Sequence, residues 1–450
     1  FFIRGKVEML KKLIEGNELL NTVPACKTTG RGPIVKLQHN LILDDGNCFE
    51  SPTLLMGNVG TGKTCLMKEI QEPILEYSEE SGDNVVIFCA KPDMLCYKRE
   101  EDWVISINSK EPNSCWNIFE EMEASQNPEL TLREIATELF AEVEEKATQP
   151  FFPQAARDIF YQTCRYMYDE SKEKGFTLSN ADLVEFLATT PIYTTDEAPG
   201  WIELALRYPD YFGMIRDYLG EGSEQGLGCL SELRTLISRT LFGCFAAENG
   251  KFSAVNALQK GGKRIFLYYD YANSGHSTLS VLHIILDLLL KQAMRADSNH
   301  KTWFFLDEAS LIPKSNVLID ALSLARDPGS NGKGGVRVIM ALQSARLMTH
   351  QYSKEEAEIL LSLFPNVISL RVSDPMSRAV VSERYGKAHY LYSYAGVGEK
   401  IHHQDSVEDV VSDYHFSQIT KKGQAIISMP GISSHPFLYD GYRKEKFSDA

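Results

Sequence analysis

The chain has 450 residues, more than one hydrophobic core ordinarily organises, so two folding units are expected. Its 46 Lys+Arg against 61 Asp+Glu leave a formal charge of −15, which excludes a protein coated in positive potential; nucleic acid, if bound, must meet a local basic lining. Nine cysteines with no C-x-x-C pair and no His/Cys cluster at zinc spacing argue against a metal finger and read as reduced, cytosolic and mostly buried.

The chain opens Phe1-Phe2-Ile3-Arg4 without an initiator Met, so a preceding segment is expected. Residues 5–22 carry apolar positions at helical spacing (Val7, Leu10, Leu13, Ile14, Leu19, Leu20), and Pro33 to Leu43 reads as a strand or hairpin. Thr53-Leu54-Leu55-Met56 is apolar enough for a buried strand. Directly after it comes Gly57-Asn58-Val59-Gly60-Thr61-Gly62-Lys63-Thr64, which fits the phosphate-loop pattern G-x-x-x-x-G-K-[ST] at every fixed position. Glycines let such a bend turn its N–H groups inward, and the helix that follows adds its positive end. Lys63 would reach the β- and γ-phosphates of a nucleotide, and the Thr64 hydroxyl would join the shell of a Mg²⁺ bridging them. A chance Gly-rich turn is the alternative, and the strand before and helix after count against it.

Helix is expected from Lys68 to Ser78, interrupted by Pro73, and then a core strand, Asn84 to Ala90, apolar on both faces. Val104 to Ile107 is a possible shorter strand. Beyond about residue 120 the texture becomes helical: 131–146, 154–170, 180–187 and 228–247 all space Leu, Ile, Phe and Tyr by three or four. The aromatics Phe151, Phe152, Phe160, Tyr161, Tyr166 and Tyr168, interleaved with Arg157 and Arg165, could clamp nucleic acid, but the same spacing fills a buried helical stripe, which is the better reading. Strand and helix then alternate: strand 264–270, helix 279–294, strand 301–308, helix 315–326, a Gly-rich loop 327–335, strand 336–342, helix 354–363, strand 366–372, helix 375–385 and strand 424–429. That alternation predicts an α/β sheet. The His-containing stretch 387–421 reads as a long loop or small surface excursion. Val281 to Leu290 is the greasiest run, but it is short and holds His283 and Asp287, so no bilayer span is expected.

Asp307 and Glu308 end a strand of large apolar residues, where such sheets place their ligand crevice. Asp307 would hold Mg²⁺ and Glu308 would orient or deprotonate the attacking water; acids at a helix start are the alternative, disfavoured once the phosphate loop is considered. Gln343 closes the strand that begins at Val336, and its amide is placed to sense a γ-phosphate or its water, although a turn residue would look the same. Arg326 ends the helix after the acids. A guanidinium there could serve a neighbouring subunit as an arginine finger; spacing alone favours a cation complementing the helix end.

The ordered set resembles the coupling proteins of type IV secretion and conjugation, the TraD-like ATPases related to FtsK and HerA translocases. The likeness covers the whole chain: Arg4-Gly5, the motif 57–64, Val85 to Met94, Cys115-Trp116-Asn117-Ile118-Phe119, the helical insert, Trp303 to Glu308, and Ala341-Leu342-Gln343-Ser344. It implies a RecA-like P-loop domain with a mostly parallel central sheet, formed by residues 1–125 and 251–450 and interrupted by an inserted all-α domain at 126–250. It also implies ATP and Mg²⁺ as cofactors, hydrolysis at the interfaces of a homohexameric ring, Arg326 acting in trans, and DNA with an attached relaxase as cargo. Partners would be the inner-membrane components of the secretion system, and the location the cytoplasmic face of a bacterial inner membrane. A coupling ATPase for protein effectors, or a docking receptor that does not hydrolyse its nucleotide, are the rival readings. Three departures stand out: the longer, glycine-richer loop after Arg326, Cys89-Ala90 where relatives often carry an acid, and no counterpart within the 450 residues to the relatives' N-terminal membrane helices.

Overall fold

A computed structural model describes residues 8–196, 198–219, 224–295, 300–324, 335–395 and 401–441, and the chain divides into two units. The first combines the stretches up to Asp83, from Trp303 and from Gly335; the second runs Asn84–Thr302.

In the first unit the strands lie in the order Phe437–Asp440, Gln424–Ser428, Asn366–Ser369, Thr53–Met56, Val336–Leu342 and Thr302–Leu306. Thr53–Met56 pairs in parallel with the strands on both sides, whereas Gln424–Ser428 and Phe437–Asp440 add an antiparallel edge. Every residue of Thr53–Met56, Asn366–Ser369 and Val336–Leu342 is buried, which is why these segments read as unbroken apolar runs and not as alternating ones. Trp303 is fully buried, packs edge-on to Phe49 at 5.6 Å and donates its indole N–H to Asp83 at 3.2 Å. The helix Lys63–Ser81 runs on through Pro73 and ends on Gly82 in the left-handed conformation (φ 74°). Val35–Lys36 and Ile42–Leu43 form the small hairpin expected between Pro33 and Leu43.

One expectation is overturned here. Residues 8–15 are a strand and not a helix: Glu8–Glu15 pairs antiparallel with Lys387–Ala395, Leu10 facing Ser393 and Lys12 facing Leu391. Of the two readings of 387–421 the long loop fails and the small excursion fits, since Lys387–Ala395 pairs with His402–Asp409 and is followed by the short helix Asp413–Gln418. The apolar spacing at 5–22 misled because Leu10 and Ile14 face solvent, 72% and 50% exposed, and the partner strand lies almost at the other end of the sequence. Lys11 ties the sheet together, 3.6 Å above the Tyr390 ring and 2.8 Å from the Glu408 carboxylate.

In the second unit Arg264–Tyr268 lies between Asn84–Cys89 and Trp103–Ile105, parallel to both. From Ile118 to Thr240 the regular elements among the described residues are all helices, the longest Phe151–Lys174 and Pro128–Lys146. Phe160 and Trp201 are fully buried, and Tyr166 packs on Tyr208 and Phe212 at 4.9 and 5.1 Å. Arg157 and Arg165 are held by Glu144 and Glu129, so the interleaved aromatics and arginines build helix packing. Glu121, fully buried, accepts from Trp116 Nε1, Ser253 Oγ and the N–H groups of Ala254 and Val255 at 2.6–3.1 Å, joining the helix Ile118–Ala124 to Ala254–Ala257. Burial pushes its carboxyl up, while the four donors pull it down. All nine cysteines are free and six are buried.

Candidate nucleotide-binding site

Gly57 to Thr64 joins the strand Thr53–Met56 to the helix Lys63–Ser81, the setting its pattern requires. Gly60 and Gly62 sit at φ 77° and 102°, backbone that a side chain strains. Gly57 is small for another reason: a Cβ there would stand 2.6 Å from Thr61 Oγ1 and 2.9 Å from Leu370 Cβ. Thr61 Oγ1 donates to the Asn58 carbonyl at 2.7 Å, and the buried Lys63 ammonium reaches back across the bend to the Gly57 carbonyl at 3.4 Å. Val59 is 76% exposed, on the open side of the bend.

Distant parts of the chain brace this loop. The Leu342 carbonyl accepts from Gly57 N at 3.1 Å, the Arg371 carbonyl from Asn58 N at 2.9 Å, and Gly423 N donates to the Thr61 carbonyl at 2.9 Å. The Asn58 amide also donates to Ser373 Oγ at 2.9 Å. Ser373 and Gly423 escape a reading of the sequence, because nothing in their neighbourhoods resembles a phosphate site. Lys422 is a further case: its Cγ would be 3.2 Å from a Cβ at Gly62, so this lysine borders the bend. The run Lys421-Lys422-Gly423 just ahead of a core strand was the available signal.

Strand order brings the acids alongside. Val336–Leu342 lies between the phosphate-loop strand and Thr302–Leu306, and Leu342 is the register partner of Met56, so Gln343 and Gly57 leave the sheet side by side. From there the Gln343 amide donates to both Glu308 oxygens at 2.8 Å each. The glycine bend, the amide and the carboxylate thus follow one another across three adjacent strand ends. Asp307 and Glu308 are 3% and 7% exposed, and Glu308 is held in the left-handed region (φ 54°). For a residue with a side chain that conformation costs about 1–3 kcal/mol, a strain characteristic of functional positions. Next to Gln343, Ser344 Oγ donates to Asp374 at 2.8 Å, and Asp374 caps the helix Pro375–Tyr385. Arg4, Gly5, Arg326 and the loop 327–334 lie outside the described residues.

A family described as the type IV secretion-system coupling protein DNA-binding domain matches residues 47–395, a span that holds the phosphate loop, both acids and Gln343. The chain belongs to that coupling-protein family. Solved structures agree on the RecA-like fold. The unbound bacterial conjugative coupling protein TrwBdeltaN70 superimposes with a TM-score of 0.70 at 18% identity, covering 96% of this chain and 94% of that one. TrwB in complex with ADP and Mg²⁺ gives 0.68 at 18% identity, over 99% and 97%. VirB4 of Thermoanaerobacter pseudethanolicus is more distant, at 0.52 and 13% identity, over 93% and 98%. No curated protein matches the sequence. In this coupling protein the first unit therefore carries the P-loop core, and no helix among its described residues is long and apolar enough to cross a membrane.

Proposed function

We propose that this coupling protein is an ATP-hydrolysing motor that moves DNA, with an attached relaxase, to a type IV secretion channel. The observation that carries the reading is the Gln343 amide clamped on Glu308 at strand ends beside the phosphate loop, a pair we assign as γ-phosphate sensor and water-activating carboxylate. ATP would lie along Gly57 to Thr64, its phosphates taken by inward N–H groups and Lys63. The Thr64 hydroxyl and Asp307 carboxylate are hard oxygen donors of the type Mg²⁺ selects, and the ion would draw charge from the β- and γ-phosphates. Structures of TrwB carry ADPNP in one case and ADP with Mg²⁺ in another, which supports this choice of cofactors.

We further assign residues 126–250 to an all-α domain inserted between the two parts, 1–125 and 251–450, of the RecA-like domain, and Arg326 to a finger that completes the site of the next subunit in a hexamer. We also place its work at the cytoplasmic face of a bacterial inner membrane, a reading that membership of the coupling-protein family supports. The test is ATP turnover measured across protein concentration, with and without single- and double-stranded DNA. Turnover that rises with both assembly and DNA is expected. A rate indifferent to DNA but raised by a secreted protein would replace the cargo, and no turnover under any condition would end the motor reading.

A further inference from the structure

Two helices of the second unit face each other with a set of side chains that no role above uses. His283 and Asp287 stand one turn apart on Ser277–Ala293, and Glu138 reaches them from Pro128–Lys146. Lys291 Nζ meets Glu134 at 2.9 Å one turn further along both helices, which holds the two faces in register. We propose that Glu138, His283 and Asp287 form a binding site for a divalent transition-metal ion of the zinc type.

Geometry carries the assignment. One ligand atom from each residue lies within 4.8 Å of the other two. His283 Nε2 is 3.4 Å from Asp287 Oδ2, yet it makes no hydrogen bond, and the side chain is only 5% exposed. A buried ring nitrogen aimed at a carboxylate without hydrogen-bond geometry is poorly served by the protein alone. Zinc bonds of about 2.0–2.2 Å to nitrogen and oxygen put two tetrahedral ligands about 3.4 Å apart, the separation found here. Glu138, half-buried at the rim, closes the third corner by a side-chain rotation and leaves the fourth to water. One imidazole and two carboxylates suit zinc or a neighbouring first-row ion better than Mg²⁺, which prefers all-oxygen octahedra.

The purified full chain, stripped with chelator and returned to buffer holding excess Mg²⁺, is titrated with Zn²⁺ by calorimetry. One zinc per chain is expected at this site, with affinity falling at least about 100-fold in Asp287→Asn and in Glu138→Gln, beyond the usual loss of an outer-shell partner. Glu138→Gln alters a partly exposed side chain and so tests the site even where a change at His283 disturbs packing. Co²⁺ substituted for zinc should give the visible bands of a nitrogen and oxygen site with no thiolate charge-transfer band. Three results each overturn the proposal: no stoichiometric zinc, unchanged affinity in both variants, or a thiolate signature that places the ion on the cysteines.

Discussion

In the proposed site Lys63, Glu308 and Gln343 would divide the work by reach and charge, and each makes a separable prediction. Lys63→Ala removes the point charge that crosses the phosphate loop, so nucleotide binding and turnover should both fall, turnover by about 100-fold or more, in a binding and hydrolysis assay. Glu308→Gln keeps the shape but not the proton acceptor. Turnover should drop by about 10²–10⁴ while ATP still binds, and a variant that hydrolyses normally removes Glu308 from the chemistry. Gln343 presents a more informative case, since its amide occupies both oxygens of the carboxylate proposed to accept a proton. Gln343→Ala should lower kcat by about 100-fold and leave the nucleotide Kd near its starting value. A change in Kd alone would make Gln343 a mere strut for the loop.

Between residues and the whole lies the way elements are fastened. Glu121 is the clearest fastener: four donors converge on one buried carboxylate, so Glu121→Gln turns one acceptor into a donor facing donors. A loss of about 3 kcal/mol is expected, read as a lowered urea midpoint; an unchanged midpoint would show that the cluster contributes nothing net. Elements of this second kind also show what the sequence could and could not disclose. The strands Thr53–Met56, Asn84–Cys89 and Val336–Leu342 were legible because burial on both faces leaves an unbroken apolar run, and Pro375–Tyr385 because Asp374 caps it before a proline. Glu8–Glu15 was not, because its spacing imitates a helix and its partner is the polar hairpin ending at Asp409. In the same way, the position of the acids beside the glycine bend was expected from the motif pair, whereas the amide fork between Gln343 and Glu308 depends on a strand order that no local pattern encodes.

For the whole molecule, the acidic balance of −15 sets a condition on any encounter with DNA: contact must be local, and raising the salt should weaken it with a modest slope. If Arg326 completes a neighbour's site, Arg326→Ala should abolish turnover without impairing ATP binding to a single chain. Mixing that variant with Glu308→Gln protein should restore part of the rate, because some interfaces then pair an intact arginine with an intact carboxylate. Mixed rings as inactive as either parent would place the arginine within its own subunit.

The bracing of the phosphate loop has a consequence for how the protein is made. Its contacts come from Leu342, Arg371, Ser373 and Gly423, so the amino-terminal motif leaves the ribosome long before the segments that hold its shape. A nascent chain halted ahead of Gly423 carries every residue of the motif yet lacks the last of these supports. Within these 450 residues, the full set of supports for the loop therefore exists only once Gly423 has been added, about 360 positions after the motif it steadies.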